Sequence, residues 1–69
     1  MSMQDQRRVL EIIDHLTETR DEISSQEIEE RASQEGIEQP RRVLDSLVEQ
    51  GLITEQDGLV SKIVKRLFW

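Results

Sequence analysis

Apolar residues first recur at Val9, Ile12, Ile13 and Leu16, the i, i+3, i+4, i+7 spacing that lines one face of a helix. Leu10 widens that stripe, and Arg7, Arg8, Glu11, Asp14, His15 and Glu18 fill the polar remainder, which predicts a first helix over about 4–17. Residues 19–22 are polar and read as a loop. A second helix over about 25–35 has a dense start signal. Ser24 as N-cap with Glu27 three residues on makes a capping box, and Ile23 before the cap with Ile28 makes a hydrophobic staple. Such a cap contributes about 1 kcal/mol. Ile28 and Ala32 give this helix a narrow apolar face, and Gly36 stops it, with Ile37 folding back on Ala32. Ile23 can also serve as a one- or two-residue strand beside whatever sheet follows.

Pro40 suits the first position of a third helix, because its missing N–H would have no partner there. Val43, Leu44, Leu47 and Val48 form the predicted buried stripe over about 40–50, Gly51 ends it, and Leu52 is placed to pack back on Leu47. The short link at 36–39 fits a helix-turn-helix crossing. After Gly51, two β-prone runs flank Gln56-Asp57-Gly58, a strong hairpin signal over about 52–64. The loop has two or three residues, so whether Leu59 or Val60 points inward stays open. An isolated hairpin is marginal in water, so this one is expected to pack on the third helix.

The chain has 69 residues, which makes a single domain over 1–69. A core of that size supplies only about 3–5 kcal/mol. There is no cysteine, so no disulfide or thiolate metal site exists, and His15 is the sole histidine. No apolar run is long enough to span a bilayer. The expected setting is therefore cytoplasmic, with no membrane partner. Formal charge is −6, unevenly placed: all fifteen acids precede residue 58, while 58–69 holds Lys62, Lys65 and Arg66 and no acid.

Those features argue against catalysis. Asp14 and His15 are adjacent, so a helix points them to different sides. Glu27, Glu29, Glu30 and Glu35 have no metal-demanding spacing and read as a solvated face, the early ones complementing the helix dipole. No glycine-rich phosphate loop is present, and so small a core is not expected to enclose a ligand pocket of roughly 300 Å³ or more. The expectation is a non-enzyme with no cofactor, no metal and no small-molecule substrate.

Two groups of residues are candidates for binding. In a helix-turn-helix the second helix of the motif reads DNA with its N-terminal residues, which nominates Gln39, Arg41 and Arg42, with Lys62 on the hairpin. Asp45 lies one turn beyond Arg41 and is placed to neutralise it as an i,i+4 pair. Glu49 follows a turn later, and the hairpin tip Glu55-Gln56-Asp57 is acidic. Acid on that face opposes the phosphate attraction that supplies nearly all non-specific affinity. The second group is Lys65, Arg66, Leu67, Phe68 and Trp69, which includes both aromatics of the chain. These residues either fold back over the first helix to cap the core or form an apolar anchor with a basic collar that grips a partner protein.

The string Ser-Gln-Glu-Ile-x3-Ala-x3-Gly-Ile, then Arg-Val-Leu-x2-Leu-Val-x2-Gly-Leu-Ile, resembles the winged-helix superfamily over about residues 4–64. It is similar to the small C-terminal winged-helix domains of archaeal replicative minichromosome-maintenance helicases, and to the DNA-binding cores of small prokaryotic transcription regulators. The fold implied is α+β, mostly α: a three-helix winged helix-turn-helix with a C-terminal two-stranded hairpin wing. The helicase resemblance implies an accessory module that tunes a motor through protein contacts, with weak or no DNA binding. The leading expectation is thus a protein partner in a replication or transcription assembly. The alternatives are a dimeric sequence-specific regulator using the third helix, and a small adaptor that mimics DNA charge for a basic partner.

Overall fold

The computed structural model describes residues 3–63. Its elements run α1 (Met3–Leu16), β1 (Ile23–Ser24), α2 (Ser25–Gln34), α3 (Pro40–Glu49), β2 (Ile53–Gln56) and β3 (Leu59–Lys62). The fold is α+β and mostly helical, with three helices and one antiparallel sheet in the order β1-β3-β2. The expected two-stranded hairpin is therefore part of a three-stranded sheet. Ile23 pairs with Val60 and Ser24 with Leu59, so the residue before α2 becomes a strand. The amide of Ser25 extends the join by donating to the Gly58 carbonyl at 2.8 Å.

Local chemistry accounts for most boundaries. Both α2 and α3 end in the same 6→1, 5→2 backbone pattern. Ile37 N–H reaches Ala32 O at 3.0 Å and Gly36 N–H reaches Ser33 O, while Leu52 N–H reaches Leu47 O at 3.1 Å and Gly51 N–H reaches Val48 O. Gln56 pairs directly with Leu59, so the hairpin loop has two residues. Asp57 and Gly58 both have positive φ, 55° and 76°, as a type I′ turn requires. That register turns Val60 inward and leaves Leu59 41% exposed.

The start of α2 departs from expectation in one respect. Ser24 Oγ does cap the helix, but it accepts from Gln26 N at 3.1 Å. The Glu27 carboxylate, instead of reaching back to close a capping box, binds Arg20 in the preceding loop with two bonds of 2.7 and 3.1 Å. A charged partner outcompetes a neutral backbone N–H for a carboxylate. The start of α3 lacks a side-chain cap altogether, and Gln39 there adopts a left-handed φ of 53°.

Every buried apolar side chain among the described residues is aliphatic. Helix α1 contributes Val9, Ile12 and Ile13, α2 contributes Ile28 and Ala32, and α3 contributes Val43, Leu44 and Leu47. Ile23, Ile37, Ile53 and Val60 close the core from the sheet and the link. Val48, expected in the stripe, is 36% exposed. The stripe is three residues wide because Val48 falls on the α3 line that carries Arg41 and Asp45, outside the buried arc.

Candidate functional site

The candidates for contact with nucleic acid are Gln39, Arg41, Arg42 and Lys62, and α3 and the hairpin do not hold them alike. Arg41 lies in the first turn of α3, on the flank turned toward α2 and β2. Its guanidinium is enclosed by three carboxylates. Nη1 donates to Glu55 Oε2 at 2.8 Å and Nη2 donates to Glu55 Oε1, a two-pronged pair. Nη2 and Nε also donate to Asp45 Oδ1, at 2.8 and 3.2 Å. Glu29 of α2 accepts a longer bond of 3.4 Å from Nη1. The i,i+4 pair with Asp45 was readable from spacing, but those with Glu29 and Glu55 were not.

Glu55 reaches this position because the hairpin register faces it inward with Ile53 and Val60. Its side chain is only 18% exposed, against 43% for Arg41. The hydrogen bonds from Arg41 are the main reason its carboxyl is held below the usual carboxylate range. Burial opposes them, and the Ser25 hydroxyl adds a smaller pull in the same direction. The same bonds, from Glu55 first and Asp45 second, raise the Arg41 guanidinium further above its ordinary value. A guanidinium with both prongs occupied cannot present its donors to a phosphate or a base edge without breaking charge-assisted bonds.

Arg42 projects from the exposed flank. Among the described residues its guanidinium donates from Nη1 to Gln39 Oε1 at 3.1 Å, so two of the candidate contacts bind each other. Lys62 is directed to α1, where Nζ meets Asp14 Oδ1 at 2.5 Å. The candidates for contact with a protein partner, Lys65, Arg66, Leu67, Phe68 and Trp69, lie outside the described residues. Among the described residues, then, the nominated cations form no continuous basic face, and Asp45, Glu29 and Glu55 outnumber the arginine they surround.

A second ionic cluster joins α1 to the end of α2. Arg8 Nη2 donates to the Glu35 carbonyl at 2.8 Å, and Arg31 and Arg8 approach the Glu35 carboxylate at 3.8 and 3.6 Å. A cation at the last carbonyls of a helix complements its dipole. His15 lines the surface cleft beside this cluster, with Glu11 and Ile12. Among the described residues, no group of three or more His, Cys, Asp or Glu side chains is placed to hold a metal ion. No helix among them is long and apolar enough to cross a membrane.

Comparisons with protein-family models, with curated proteins and with solved structures find no match to this chain.

Proposed function

We propose that this chain is a non-catalytic winged-helix module of the cytoplasm that works by protein contact within an assembly acting on DNA, replication before transcription. Three features support the reading. The order helix, short strand, helix, helix, hairpin follows the winged-helix layout, with the first strand paired to the last. The sequence resembles the C-terminal domains of archaeal minichromosome-maintenance helicases. The observation that carries the protein-contact half is the enclosure of Arg41 by Glu55 and Asp45. A helix that docks on DNA needs cations free to displace counterions from phosphates, and α3 has its better-placed cation bound within the domain.

The test is an NMR titration of the 69-residue chain with duplex DNA at about 150 mM salt, where phosphate contacts are discriminating. Micromolar duplex is expected to leave the amides of Gln39, Arg41 and Arg42 unmoved. A sub-micromolar complex with shifts confined to α3 and the hairpin, and a salt slope reporting several phosphates, would favour the sequence-specific regulator instead.

A further inference from the structure

The two-pronged hold of Glu55 on Arg41 uses the same donors that an arginine offers a phosphate. Nη1 and Nη2 each donate to one oxygen of the Glu55 carboxylate, and arginine–phosphate pairs are commonly built on two such parallel bonds. Asp45 accepts from Nη2 and from Nε. Every nitrogen of the fork thus donates to an anionic oxygen.

This happens in a turn where an anion from outside would find further support. Arg41 and Arg42 stand in the first turn of α3, which holds no acid and no side-chain cap. The opening turn of a helix favours negative charge through its dipole. Arg42 donates to the amide oxygen of Gln39, a neutral acceptor that makes a weaker bond than an anion does.

The hold on Arg41 is charged but shallow. The Arg41 side chain is 43% exposed and that of Asp45 60%, so a change of partner needs side-chain rotation and no unfolding. The Glu55 carboxyl is held below the usual range, chiefly by its bonds from Arg41, and carries its full charge at neutral pH. Glu29 is the third carboxylate at the fork. Two arginines at the start of α3 therefore stand against three acids. With Glu55 and Asp45 neutral, they would stand against Glu29 alone.

We propose that the start of α3 is a masked phosphate site, in which Glu55 and Asp45 occupy the Arg41 fork in place of a phosphodiester of duplex DNA. The proposal rests on the reading of α3 given above, as the second helix of a helix-turn-helix. It adds that weak affinity for DNA is imposed by the hairpin and is reversible. The mask belongs to the fold, since Glu55 reaches Arg41 from β2 and is supported by the Ser25 hydroxyl at the start of α2.

Anisotropy of a labelled mixed-sequence duplex at about 50 mM salt, where phosphate contacts are strong, tests this with the 69-residue chain. The unaltered chain is expected to bind weakly. Glu55→Gln combined with Asp45→Asn keeps both side-chain shapes. It should tighten binding about tenfold and steepen the salt dependence by about one phosphate contact. Arg41→Ala in that background should abolish the gain. Glu11→Gln combined with Glu18→Gln removes the same charge from exposed acids of α1 and the turn after it, and should reproduce little of it.

An equal gain in the Glu11 and Glu18 variant, or a gain that survives Arg41→Ala, would overturn the proposal, because net charge alone would then explain the binding. A Glu55 and Asp45 variant no tighter than the unaltered chain would overturn it too, while leaving the protein-contact reading in place. Tight, Arg41-dependent binding by the unaltered chain would overturn both. If circular dichroism shows the double variant unfolded, Asp45→Asn alone decides at its more exposed position. A smaller gain that Arg41→Ala removes supports the mask, and no gain contradicts it.

Discussion

Arg41 and Arg42 are neighbours in sequence, yet α3 turns one toward α2 and the hairpin and the other toward solvent. On the inner flank Arg41 ties three elements together through Glu29, Asp45 and Glu55. On the outer flank, among the described residues, Arg42 donates to the Gln39 side chain one turn back. The same residue type thus serves cohesion at one position and remains available at the next. What separates them is the hairpin register, which brings the Glu55 carboxylate to the Arg41 flank. An arginine pair at the start of a helix therefore says little about nucleic acid until the partners of each guanidinium are known.

The contrast is broken most directly by truncating each arginine. Arg41→Ala strands a largely buried carboxylate, and a loss of about 1–2 kcal/mol is expected, the range for an unpaired buried acceptor tempered by the exposure of the guanidinium. Arg42→Ala should stay within about 0.5 kcal/mol, as surface substitutions usually do. Urea midpoints for the two variants measure the difference, and equal losses would erase the distinction between the flanks.

The acid limb of stability gives a smaller effect with a definite sign. The Glu55 carboxyl is depressed in the folded chain, chiefly by its bonds from Arg41. Its stabilisation is therefore complete above the unfolded value, about 4.3, and is lost as pH falls through the lower folded value. Removing Arg41 removes that cause, so Arg41→Ala should lose stability less steeply below about pH 4.3 than the unaltered chain. Arg42→Ala should follow the unaltered chain. Parallel acid limbs for all three would contradict the assignment. Glu27, depressed by its bonds from Arg20, contributes with the same sign in every one of them.

The smallest effect sharpens the outer flank. Gln39 holds a left-handed conformation immediately before Pro40, without capping α3 through its side chain. Gln39→Gly relieves that strain but adds unfolded-state freedom, so a net gain of about 0.5 kcal/mol is expected from these two opposed terms. A loss instead would mean that the bond Gln39 accepts from Arg42 outweighs the strain.

Much of the fold was legible because its signals are local. Ser24, Gly36, Pro40, Gly51 and Asp57-Gly58 each fix a boundary through the conformation of one or two residues, and each element falls within a residue or two of the range its pattern predicts. The brief strand at Ile23 was legible only as an option beside its staple contact with Ile28, and the pairing with Val60 realises it. The site was legible only in part. Asp45 follows Arg41 by one helical turn and announces itself. Glu55 is fourteen residues away and on another element. It shares the inward face of β2 with Ile53, but alternation does not say which helix flank that face covers. Glu27 misled for a related reason: the spacing that suggests a capping box is silent about a competing arginine in the loop before it. Lys62 looked like a free cation because Asp14 lies on a helix nearly fifty residues earlier.

Glu55 holds Arg41 inside the domain, and a double-mutant cycle measures that coupling directly. Arg41→Ala, Glu55→Ala and the double variant, compared by urea unfolding near neutral pH, should show an interaction of about 1 kcal/mol or more, as expected for side chains in direct contact. Single losses that add within about 0.3 kcal/mol would mean the guanidinium is energetically free, and α3 would then have a cation available for DNA.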